Sequence, residues 1–206
     1  MFTFFFPVRE VLSSNRSWII ISTSVFFICL ILFSYAAPAA LPEAAEQPIE
    51  NQFDQLLGLF DFILDAPPAI SALMVFMNNF LSMAQMLLLG FIAGISPLIT
   101  LGLNGALVGI LFSISSEQGV TLMPLVIYGI LPHGIFELPA FFICGALGLK
   151  FGYHCIASPL PGKNRLQSYR FIWKETIAIL PLIVLLLFAA AFIEIFITSQ
   201  LIELVL

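Results

Sequence analysis

Residues 121–152 read TLMPLVIYGILPHGIFELPAFFICGALGLKFG, and this stretch decides the fold. It runs for 32 residues with only His133, Glu137 and Lys150 as ionisable groups apart from Tyr128 and Cys144. About 20 apolar residues suffice for a helix to cross a bilayer. A straight helix of this length would measure about 48 Å, against a hydrocarbon core of about 30 Å. Tilt absorbs only part of the excess. The prolines supply the rest: the segment is expected to be kinked or broken, with Pro132, Gly134 and Pro139 at the break. Irregular backbone at membrane depth is tolerated where protein buries it or where it lines a wet cavity. Freed carbonyls need partners, and Gly129 and Gly134 let other chains approach them. His133 and Glu137 stand four residues apart and therefore share one helix face.

Composition agrees. Apolar residues make up 61% of the 206-residue chain and charged residues 9%, against about 25% charged in soluble domains. Mean hydropathy is +1.10. The expectation is an all-α, polytopic membrane protein embedded in the lipid bilayer. No basic stripe accompanies the net charge of −5, so nucleic acid is excluded as a partner. Cys29, Cys144 and Cys155 are widely spaced and form neither a CxxC nor a disulfide framework.

Four further spans lie at 18–35, 71–92, 97–113 and 176–198, giving five. All seven Lys and Arg residues precede the first span or lie at and after the end of the fourth. Five spans put both groups on one side, the cytoplasmic side by the positive-inside rule. The chain then divides into a cytoplasmic N-terminus with the first span (1–36), an extracytoplasmic segment (37–70) and a core of four spans (71–206) ending outside the cell membrane. Residues 1–40 also resemble a signal peptide, with SYAAPAA as the cleavage site. An 18-residue apolar core is long for that role and favours an uncleaved anchor. Within 46–65, apolar residues at helical spacing oppose an acidic face. This predicts an amphipathic outer helix packed on protein, its own or a partner's. The loop at 153–173 is short, basic and turn-rich, and its His154 and Cys155 are read as structural.

Polar residues inside the spans need individual reasons. By helical rise, Glu137 is about 20 Å from the inner edge and Glu194 about 27 Å, with Asn79 about 11 Å from the outer edge. Asn79, His133, Glu137 and Glu194 are thus expected to meet in the outer half of the bundle. Asn104 sits in the inner half, and Gln85 extends the polar side of the second span inward. Two readings stand: a satisfied network that fixes helix packing, or a site for a proton or substrate. Gly90/Gly94, Gly105/Gly109 and Gly148/Gly152 form three G-xxx-G pairs. They suit close helix packing within the chain or with a second copy equally well. His133 and Glu137 supply two metal ligands where zinc takes three or four, so no metal site and no cofactor are expected. The chain has no HExxH, G-x-S-x-G or phosphate loop, and no enzymatic activity is expected.

NNFLSMAQMLLLGFIAGISPLITLGLNGALVG (78–109), ILPHGIFELPAFFICGALGLKFG (130–152) and FAAAFIEIFIT (188–198) resemble the stage II sporulation protein M family. The likeness covers residues 77–198, with HGxxELPA its most specific element. It implies a polytopic protein that anchors partners at a membrane, and Asn79, Asn104, His133, Glu137 and Glu194 as recurrent polar positions. In the sporulating member those partners degrade peptidoglycan during engulfment. Two functions of different class follow. One is a scaffold for membrane or extracytoplasmic proteins. The other is a permease-like protein moving a solute, proton or lipid through the polar cluster.

Overall fold

The computed structural model describes residues 7–40 and 65–203. The expected amphipathic helix at 46–65 lies almost wholly outside the described residues. The described chain is helical, with no strand. A short helix α1 (Val8–Ser14) leads into α2 (Arg16–Ala40). Then come α3 (Pro68–Leu89) and α4 (Ile95–Glu117). Next, α5 (Leu122–Pro124) passes through a π-helical segment, Leu125–Ile130, into α6 (Leu131–Ile156). Finally α7 (Arg165–Ile193) passes through a second π segment, Glu194–Thr198, into α8 (Ser199–Glu203). Five helical runs are long and apolar enough to cross a membrane: Arg16–Tyr35, Pro68–Leu89, Ile95–Glu117, Leu122–Ile156 and Arg165–Ile202.

The fourth run is continuous, so of the kinked and broken forms expected of it the break is not seen, and the irregularity takes the form of a π-helical segment. Pro132 sits in the first turn of α6, immediately after the π segment. A proline there lacks the N–H that would close the preceding α turn, and its ring crowds the carbonyl four residues back. Widening that turn to π spacing relieves both problems without a gap. Pro139 lies inside α6 and Pro181 inside α7, both within unbroken helix. Gly134 was expected to admit another chain. A Cβ there would meet only Ile130 and Leu138 of its own helix, at ordinary distances of 3.7 Å and more.

α6 is the central helix. Residues 140–148 are buried on every side, as suits a segment apolar all round. The core gathers Phe26, Met83, Met86, Leu101, Cys144, Leu147, Ile179, Ile183 and Leu187 from α2, α3, α4, α6 and α7. The outer faces expose Ile28, Leu32, Leu81, Leu103, Leu185 and Phe188, the surface a lipid-facing bundle presents.

Glycine sets the spacing. A Cβ on Gly90 would lie 2.7 Å from Gly148 Cα, and one on Gly148 would lie 2.5 Å from the Met86 carbonyl oxygen. A Cβ on Gly152 would strike the backbone of Ala93 and Gly94. Gly94 itself has φ +69°, in the tight turn between α3 and α4. Gly105 and Gly109 lie against the Phe26 and Leu30 carbonyls of α2. All six glycines therefore pack within the chain. These contacts, with Phe26 in the core, pack the first span into the bundle.

Candidate functional site

Two polar networks lie at opposite ends of α6. The one at its N-terminal end contains the four residues expected to meet, Asn79, His133, Glu137 and Glu194. His133 and Glu137 project from the first turns of α6, and Glu194 opens the second π segment at the end of α7. One ligand-type atom of each lies within 4.8 Å of the others. Asn79 of α3 faces the Glu137 carboxyl group. Asn78, at the exposed edge, donates through Nδ2 to Asn79 Oδ1 at 3.4 Å. Thr198 is buried, with its Oγ1 3.4 Å from His133 Nδ1. His133, Glu137, Glu194 and Asn79 are half-buried.

Local structure explains the meeting. His133 and Glu137 share a face by helical periodicity. Glu194 and Thr198 are separated by one wide turn, which sets both toward α6. The two π segments touch each other, and α3 reaches the second one. Asn104 is not part of this group: its Nδ2 donates to the Thr100 carbonyl of its own helix at 2.8 Å. Gln85 is exposed on the outside of α3, so the polar side of that span does not continue inward.

The network toward the C-terminal end of α6 was not anticipated. Lys150 Nζ lies 2.6 Å from Glu175 Oε2 and donates to Asn15 Oδ1 at 2.8 Å. Asn15 Nδ2 donates to Glu175 Oε1 at 3.0 Å and to the Val11 carbonyl at 2.8 Å. Ser14 Oγ donates to Glu175 Oε1 at 3.2 Å. Lys150 is 4% exposed, and Glu175 and Asn15 are 2% exposed, so these three are internal, with Ser14 at the exposed edge. It ties the junction of α1 and α2 to α6 and α7. Lys150 served the sequence reading only as a marker of the basic side. The available signal was Glu175, the sole acidic residue between Glu137 and Glu194, set within a basic segment.

The basic end is otherwise an aromatic and capping layer. Trp18 packs on Tyr153 and His154, while Tyr169 and Trp173 pack on Phe151. Arg165 reaches the Cys155 and Ile156 carbonyls at the end of α6. Asn164 and Gln167 form a reciprocal capping box that starts α7. His154 Nδ1 lies 2.6 Å from the Ser158 carbonyl oxygen. Its partners are thus ring and backbone, in keeping with a structural role.

No solved structure matches the chain. An uncharacterized protein of Methanocaldococcus jannaschii is 28% identical over 185 residues, covering 88% of this chain and 94% of that protein. The profile of the family described as Stage II sporulation protein M matches residues 23–199. That match begins inside α2, earlier than the likeness read from the sequence, and reaches past Thr198. Having the family's pattern over most of its length and five membrane-length helices, the chain is a multi-pass membrane protein that belongs to the stage II sporulation protein M family.

Proposed function

We propose that the chain is a membrane scaffold, an anchor that holds partner proteins at the bilayer rather than a conduit through it. The observation behind this reading is the seal between the two polar networks. Leu101, Cys144, Leu147, Ile179, Ile183 and Leu187 fill the level between them, each no more than 1% exposed. Backbone-to-backbone glycine contacts hold that level together, and close packing of this kind resists the sliding that alternating access requires. The partners dock on what remains outside the bilayer: the acidic segment at 37–70 and the basic loop at 153–173. In this reading the N-terminus and the basic loop are cytoplasmic, and the first segment and the C-terminus are extracytoplasmic.

The permease reading rests on one observation, the ionisable cluster at membrane depth. A host assay separates the two. Charge reversals at Glu46, Glu50 and Asp54, and at Lys163 and Arg170, are expected to abolish function with protein abundance unchanged. Loss confined to Asn79, His133 and Glu137 variants of normal abundance would favour the permease instead.

A further inference from the structure

We propose that His133, Glu137 and Glu194 form a binding site for a divalent transition metal, with zinc as the best-fitting ion. The proposal goes beyond the scaffold reading and does not depend on it. The donor set is one imidazole and two carboxylates, converging from α6 and from the second π segment, with ligand atoms within 4.8 Å of one another. Zinc binds such groups at about 2.0–2.2 Å, which places tetrahedral ligand atoms about 3.4 Å apart. Small side-chain rotations close that difference. The imidazole favours zinc or iron over magnesium and calcium, which take all-oxygen sets.

Charge is the second, independent line. All seven Lys and Arg residues of the chain lie at the other end of the bundle. Lys150, which comes nearest along α6, is committed to Glu175 there. Two carboxylates in the outer half therefore have only His133 as a cationic side chain within the cluster, and a charge at membrane depth is costly unless balanced. A divalent cation on two carboxylates and a neutral imidazole makes the group neutral.

The backbone is the third line. π segments inside α-helices concentrate at functional sites. Here Glu194 opens one, and the other ends two residues before Pro132-His133. The surrounding contacts have the form of an outer ligand shell. Thr198 engages one ring nitrogen of His133, leaving the other for the metal, and Asn79 faces Glu137. Three protein ligands leave a fourth position for water or a partner's side chain.

The test uses full-length protein purified in detergent without a polyhistidine tag, loaded with Zn2+ and desalted. Mass spectrometry is expected to find about one zinc per chain. His133→Ala, Glu137→Gln and Glu194→Gln are each expected to lose it, and Thr198→Val to weaken it by roughly 10-fold. Wild type loaded with Co2+ is expected to show the intense visible bands of a four-coordinate site, which decides the matter even if a variant fails to fold. Wild type that retains no stoichiometric zinc and gives only the weak spectrum of hydrated cobalt would overturn the proposal. So would folded variants that retain as much zinc as wild type.

Discussion

A lysine ammonium 2.6 Å from a glutamate carboxylate, both buried, makes a one-sided change expensive. Lys150→Met leaves Glu175 charged without its main partner and is expected to cost about 3–5 kcal/mol, read as lost thermal stability in detergent. Adding Glu175→Gln removes the stranded charge while keeping a partner for Asn15 and Ser14, and is expected to recover much of the loss. Glycine positions divide in the same local way. Gly148→Ala pushes a methyl group toward the Met86 carbonyl and is expected to destabilise by about 1–3 kcal/mol. Gly134→Ala meets only ordinary contacts and is expected to be neutral or slightly stabilising in the same melting experiment. In the sequence Gly148 differs from Gly134 only in having a G-xxx-G partner, Gly152. Whether a glycine faces a neighbouring backbone depends on helix rotation, which a G-xxx-G spacing does not encode.

At the scale of elements, hydropathy made the spans legible, since crossing a bilayer demands length and apolarity of each one separately. The grouping of His133, Glu137, Glu194 and Asn79 was also legible, from rise per residue and helical periodicity. The network of Asn15, Lys150 and Glu175 was not, because these residues lie at or just beyond the ends of the spans expected from hydropathy, where polar residues are ordinary. The form of the proline irregularity also escaped, since proline forbids an α turn without choosing between a gap and a π turn. A π segment acts as one inserted residue, so deleting Phe196 within Glu194–Thr198 should restore α spacing. Residues beyond the deletion then rotate by about 100°. A His133→Cys/Thr198→Cys pair is expected to cross-link in the full-length background and to fail in the deletion background.

The described residues form a bundle with a basic, aromatic end, an ionisable cluster toward the opposite end and a closed apolar middle. Its orientation is open to direct labelling. In a background without native cysteines, Asp65→Cys is expected to react with an impermeant maleimide on intact cells, and Lys163→Cys only after permeabilisation. The closed middle carries the functional argument, and Cys144 of α6 reports on it because it is 0% exposed among the helices that form the seal. The most direct measurement keeps Cys144 as the single thiol, by Cys29→Ser and Cys155→Ser. Membranes open on both sides are then treated with a small charged methanethiosulfonate, and the mass of the intact protein is read. A sealed scaffold predicts an unmodified thiol until detergent or denaturant opens the bundle. Ready modification in the native membrane would mean that water reaches the middle of the bundle, and would contradict the account.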